Sequence, residues 1–100
     1  MTEKRQSLST EALCEAAACL RIMAHPVRLR IVDLLMQNEL AVHEIADLCE
    51  VKPNQICEHL RLMQTAGLLT SRRAGRTVYY AITSPRLPSL MECIRKNCPR

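Results

Sequence analysis

The stretch Val42-His-Glu-Ile-Ala-Asp-Leu-Cys-Glu-Val-Lys-Pro-Asn-Gln-Ile-Cys-Glu-His-Leu-Arg-Leu-Met-Gln-Thr65 decides the fold. It reads as a short helix from about Val42 to Cys49, a tight break at Glu50 to Lys52, and a second helix opened by Pro53 that runs to Thr65 or Ala66. Proline suits the first helical position, where its missing N–H has no intrahelical partner to lose. Ile45, Leu48, Val51, Ile56, Leu60 and Met63 supply the apolar contacts between the two. Helices joined by so short a turn must cross steeply, as in a helix-turn-helix unit.

Working outward towards the C-terminus, Gly67 stands where a left-handed helix cap belongs. Beyond it the hydrophobic period changes. Leu68 to Arg73 and Thr77 to Ile82 flank Ala74-Gly75-Arg76, and the second run is rich in β-branched and aromatic residues, so the pair predicts a β-hairpin tipped by arginine. A hairpin directly after a helix-turn-helix is a wing. Ser84-Pro85 begins the last segment, which predicts a final helix from about Pro88 to Asn97 whose Leu90, Met91 and Ile94 need a surface to cover.

Towards the N-terminus, Ser9 and Thr10 offer capping oxygens for a first helix from about residue 10 to 24, with Glu11 complementing its dipole. Pro26 disfavours helical geometry at His25, so this helix stops there and a second starts at the proline. Val27, Ile31, Leu34 and Leu35 form its buried face, and it ends near Gln37-Asn38. The expected architecture is mainly α with a small β-hairpin, a winged helix-turn-helix over residues 1–100 as one domain.

Composition narrows the function. Hydrophobic residues are 48% of the chain and aromatics 2%, so the core must be aliphatic, which suits packed helices. No apolar run approaches the roughly 20 residues that span a bilayer. The first ten residues are polar and charged rather than signal-like. Both features predict a cytoplasmic protein with no membrane partner, whose six cysteines are thiols or metal thiolates rather than disulfides. The net charge of +4 is unevenly spread: residues 1–50 carry five basic and eight acidic side chains, residues 51–100 nine and two. Between Leu60 and Arg86 there are arginines and no carboxylate, a one-signed stretch that draws a polyanion by counterion release. No Cys-x-x-Cys, Gly-rich phosphate loop or nucleophile elbow points to an enzyme.

Five fragments stand in a telling order: Met23-Ala-His-Pro-Val-Arg-Leu-Arg-Ile-Val32, Val42-His-Glu-Ile-Ala46, Ile56-Cys-Glu-His-Leu-Arg-Leu-Met63, Ala66-Gly-Leu-Leu69 and Arg72-Arg-Ala-Gly-Arg-Thr-Val-Tyr-Tyr80. In them the sequence resembles the ArsR/SmtB family of bacterial repressors, over most of its length. Each fragment is weak alone; five in the expected order are specific. The resemblance implies a homodimer through the first and last helices, with two recognition helices in successive major grooves of a double-stranded DNA operator and wings on the flanking backbone. It makes Pro53 to Thr65 the recognition helix. Asn54, Gln55, Glu58 and His59 lie where side chains reach base edges: amides pair with adenine, and glutamate accepts from cytosine. His59 has an alternative reading as a structural histidine. Arg61, Arg72, Arg73 and Arg76 match phosphate or minor-groove contacts. Arg28 and Arg30 are expected in surface pairs.

The family also implies an effector, and here the residues depart from its known patterns. The arsenic-sensing type carries two cysteines where this chain reads Glu39-Leu-Ala-Val-His-Glu-Ile45. The Asp and His pairs of the zinc-sensing type are absent from residues 88–100. Persulfide-sensing relatives pair a second-helix cysteine, here Asp33, with a C-terminal one that Cys98 matches. What remains is Cys14 and Cys19 on the first helix with Cys93 and Cys98 on the last. Soft thiolates select As(III) or a soft metal ion. A spacing of i, i+5 sets side chains roughly 140° apart on a helix, so a site must mix helices. Cys57 faces DNA in this scheme, and its modification, or a disulfide with Cys49, offers a redox alternative. A third alternative is an organic ligand with the cysteines serving as core.

Overall fold

A computed structural model describes residues 6–98. The chain runs α1 (Thr10–Met23), α2 (Pro26–Leu35), β1 (Leu40–Ala41), α3 (Val42–Cys49), α4 (Pro53–Thr65), β2 (Leu69–Ala74), β3 (Thr77–Ile82) and α5 (Arg86–Asn97). The local signals act as the sequence predicts at most junctions. The Ser9 hydroxyl accepts the Ala12 N–H at 3.0 Å, and His25 caps α2, its Nδ1 accepting from Val27 N–H at 3.2 Å. The α4 terminus closes with Gly67 at φ +81°: Leu68 N–H donates to the Met63 carbonyl at 2.9 Å and Gly67 N–H to that of Gln64 at 3.0 Å. This paired closure satisfies carbonyls the helix cannot.

The turn between α3 and α4 uses the same closure with a less suited residue. Glu50 takes φ +57°, with Val51 N–H donating to Ala46 at 3.1 Å and Glu50 N–H to Asp47 at 3.3 Å. The chain thereby passes from α3 to α4 within three residues. At the other end of α3 the Glu44 carboxylate accepts the Ala41 N–H at 2.8 Å.

One aliphatic core holds these elements. Ile31 and Val32 of α2, Ile45 of α3, Ile56, Leu60 and Met63 of α4, and Leu87 of α5 are all fully buried. The i, i+4, i+7 spacing of the α4 trio puts its inner face on the core and leaves the opposite face outside. Leu90 and Ile94 of α5 pack against the same cluster. Two ion pairs tie α5 to its neighbours: Arg95 Nη2 to Asp33 Oδ1 on α2 at 2.8 Å, and Arg86 Nη2 to Glu15 Oε1 on α1 at 3.0 Å.

Several expectations need correction. Leu48, expected among the apolar contacts between α3 and α4, is 57% exposed. The sheet has three strands in the order β1-β3-β2, because Leu40 and Ala41 pair antiparallel with Tyr80 and Tyr79. A two-residue strand has no periodicity of its own to read. Helix α2 stops at Leu35, short of Gln37-Asn38. Helix α5 begins at Arg86, two residues before Pro88, since a proline in the first turn costs no intrahelical bond. The hairpin forms where expected, but its first strand runs Leu69–Ala74 rather than Leu68 to Arg73: Leu69 lies opposite Ile82 and Ala74 opposite Thr77, so Ala74 belongs to the ladder and only Gly75, at φ +65°, and Arg76 make the turn.

Candidate nucleic-acid interface

Helix α4 buries one face and offers the other. Asn54, Gln55, Glu58 and Arg61 are exposed, as is Lys52 just before the helix. The wing is held to this helix by its last turn: Gln64 Nε2 donates to Ser71 Oγ at 3.1 Å, and the Gly67 closure leads directly into β2. Arg73 and Arg76 are exposed near the tip of that hairpin. Helix and wing therefore form a connected unit that carries Lys52, Arg61, Arg73 and Arg76, none of them in an ion pair among the described residues, and one carboxylate, Glu58. Neither Gln64 nor Ser71 was singled out from sequence; a contact across a helix–strand turn carries no local pattern.

The other two expected contacts, Arg72 and His59, have partners within the chain. Arg72 is exposed, but its Nε lies 2.6 Å from Glu39 Oε1, and its guanidinium carbon sits 5.1 Å from the centre of the Tyr79 ring. His59 is half-buried, its Nδ1 accepting from Arg28 Nε at 3.1 Å and its ring meeting that of His25 edge-on at 4.7 Å. Burial holds the His59 imidazole below its ordinary pKa, and His25 and Arg28 push it the same way, against a smaller opposing effect of Glu58. Arg28 is not a surface pair as expected: it bridges His59 and the Ile22 carbonyl, the latter at 3.0 Å. Arg30 does pair on the surface, with Asp33 at 3.8 Å.

All six cysteines are free thiols. Cys14, Cys93 and Cys98 are exposed, Cys19 is buried in the core, and Cys49 and Cys57 are half-buried. Burial raises the Cys49 thiol above its ordinary pKa, with Arg30 partly opposing it. Among the described residues of one chain, no three His, Cys, Asp or Glu side chains cluster as metal ligands. A set of three or more ligands built on the expected cysteines thus requires a second chain or a rearrangement. Helix α1 carries the apolar stripe Leu13, Ala16, Ala17 and Leu20, at i, i+3, i+4, i+7, and all four are exposed. Leu8, Leu13 and Leu20 are 68%, 51% and 54% accessible, so nothing among the described residues covers this face.

A helix pair joined by a three-residue turn, whose second helix presents a polar face beside a basic hairpin, defines a winged helix-turn-helix protein. The comparisons with known proteins agree. A helix-turn-helix domain family matches residues 23–72. The repressor SmtB of Mycobacterium tuberculosis is 35% identical over 81 residues, a stretch that covers 81% of this chain and 60% of that protein. Reduced HlyU from Vibrio cholerae superposes with a TM-score of 0.83 at 27% identity, covering 90% of this chain and 95% of that one. The homodimeric winged helix-turn-helix DNA-binding domain of a possible ArsR-family regulator from Mycobacterium bovis gives 0.78 at 30% identity, covering 93% and 87%. The chain belongs to the ArsR/SmtB family of transcriptional regulators.

Proposed function

We propose that the protein is a homodimeric repressor that binds a double-stranded DNA operator and leaves it when a thiol-reactive effector arrives. The observation that carries the DNA reading is the Gln64–Ser71 link, which sets the exposed face of α4 and the Arg73–Arg76 tip into one surface. Asn54 and Gln55 read bases, Glu58 accepts from a cytosine amine, and Arg61, Arg73 and Arg76 hold phosphates. SmtB is a repressor and HlyU an activator, and the repressor reading follows the higher identity. The exposed α1 stripe is the face a second copy covers, and the relative from Mycobacterium bovis is homodimeric.

The effector in this reading is As(III) or a soft metal ion held by thiolates of Cys14 or Cys19 from one protomer and Cys93 or Cys98 from its partner. A coupling of about 1–3 kcal/mol between that site and the recognition helices is enough to switch operator occupancy. Adding As(III), Hg(II) or Cd(II) to the DNA-bound dimer lowers its affinity, and Cys93→Ser or Cys98→Ser blunts the response. Unchanged affinity throughout rejects metal gating and leaves DNA binding standing. A second reading, gating by cysteine oxidation, draws on the likeness to HlyU, whose structure is known in a reduced form. In that case peroxide releases the wild-type chain from DNA but not Cys57→Ser.

A further inference from the structure

Arg28 stands at the meeting of three helices. Its Nη1 donates to the carbonyl of Ile22 at 3.0 Å, one of the last carbonyls of α1, which have no partner within the helix. Its Nε donates to Nδ1 of His59 on α4 at 3.1 Å. His25, the cap of α2, closes the cluster: its Nδ1 accepts from Val27, and its ring lies 4.7 Å from that of His59 at an interplanar angle of 62°. No other side chain-mediated bond among the described residues joins α4 to α1 or α2.

A guanidinium has donors only, so the His59 nitrogen facing it must carry a lone pair. The ring is then neutral with its proton on Nε2. The charged and titratable groups around it are His25 before α2, Arg28 on α2 and Glu58 on α4 itself, and the balance of burial and charge disfavours the imidazolium.

We propose that Arg28 is a positioning residue for the recognition helix: it clamps α4, through His59, to the carbonyl end of α1, and so sets the reading face relative to the helix that carries the exposed apolar stripe. Arg28 contributes to DNA affinity in this way without touching DNA. The affinity arm of the test rests on the DNA-binding reading; the spectroscopic arm does not.

The test uses the full chain. In nitrogen-15 spectra near neutral pH, wild-type His59 shows a protonated Nε2 and a bare Nδ1. Arg28→Met gives a mixture of tautomers and moves the His59 titration upward. From the other side, His59→Phe makes the Arg28 Nε–H exchange faster than in wild type. On a duplex selected from a random pool by the wild-type chain, Arg28→Met lowers affinity about tenfold. The salt dependence keeps its slope, whereas Arg61→Ala loses about one unit of it. Adding His59→Phe to Arg28→Met costs little more. An unchanged tautomer in Arg28→Met, unchanged Arg28 exchange in His59→Phe, full additivity, or a slope reduced by about one in Arg28→Met overturns the clamp. If the wild-type chain enriches no duplex, the DNA reading falls and the spectra alone decide the clamp.

Discussion

Arg72 reaches over the central strand of the wing: its Nε lies 2.6 Å from Glu39 Oε1, beyond the strand that carries Tyr79. The pair is exposed and contributes little stability, but under the proposed DNA-binding function it takes one arginine away from the charge of the wing. Arg73→Ala or Arg76→Ala lowers the salt slope of DNA binding by about one. Arg72→Ala leaves the slope unchanged, and Glu39→Gln, by freeing Arg72, tightens binding. A slope that falls equally for all three arginines contradicts this division of roles.

The helix-turn-helix stands on its buried aliphatics. Ile45 and Ile56 are fully buried on the two crossing helices. Either one replaced by alanine loses about 2–5 kcal/mol of stability, through lost transfer energy and the cavity left behind. Leu62→Ala, on the exposed face of α4, changes it by less than about 0.5 kcal/mol. Denaturant unfolding of the three variants measures the difference.

Glu50 occupies a left-handed conformation that costs a side-chain-bearing residue about 1 kcal/mol. Asparagine tolerates it better, so Glu50→Asn raises the unfolding midpoint, while Glu50→Val lowers it. The order of the two melting temperatures is the check.

Acid weakens the fold through His59. Its pKa lies below the ordinary imidazole value of about 6.5, because burial, His25 and Arg28 outweigh Glu58. Between the two values the unfolded chain binds a proton that the folded chain refuses, so stability is complete above about pH 6.5 and falls as the pH drops towards the folded pKa. His59→Phe flattens that part of the stability profile. A wild-type profile as flat as that of His59→Phe over the same range contradicts the assignment.

Much of this was legible in the sequence for physical reasons. Pro26, Pro53 and Gly67 act through the backbone of their own neighbourhood, so helix boundaries at those residues follow from local chemistry. The spacing of Ile56, Leu60 and Met63 fixed which side of α4 turns inward, and with it the exposure of Asn54, Gln55 and Glu58. What was hidden depends on distant partners. Strand β1 exists because Leu40 meets Tyr80, and Arg28 is a bridge because His59, thirty-one positions away, comes within hydrogen-bonding distance. Pro88 misplaced the start of α5 because a proline tolerated within a first turn looks, in sequence, like one that begins it.

Amide hydrogen exchange with and without the selected duplex tests most directly whether α4 and the wing form one DNA-binding surface. New protection is expected over residues 52–61 and 72–77. Protection confined to α1 and α5, or no change on adding duplex, contradicts it.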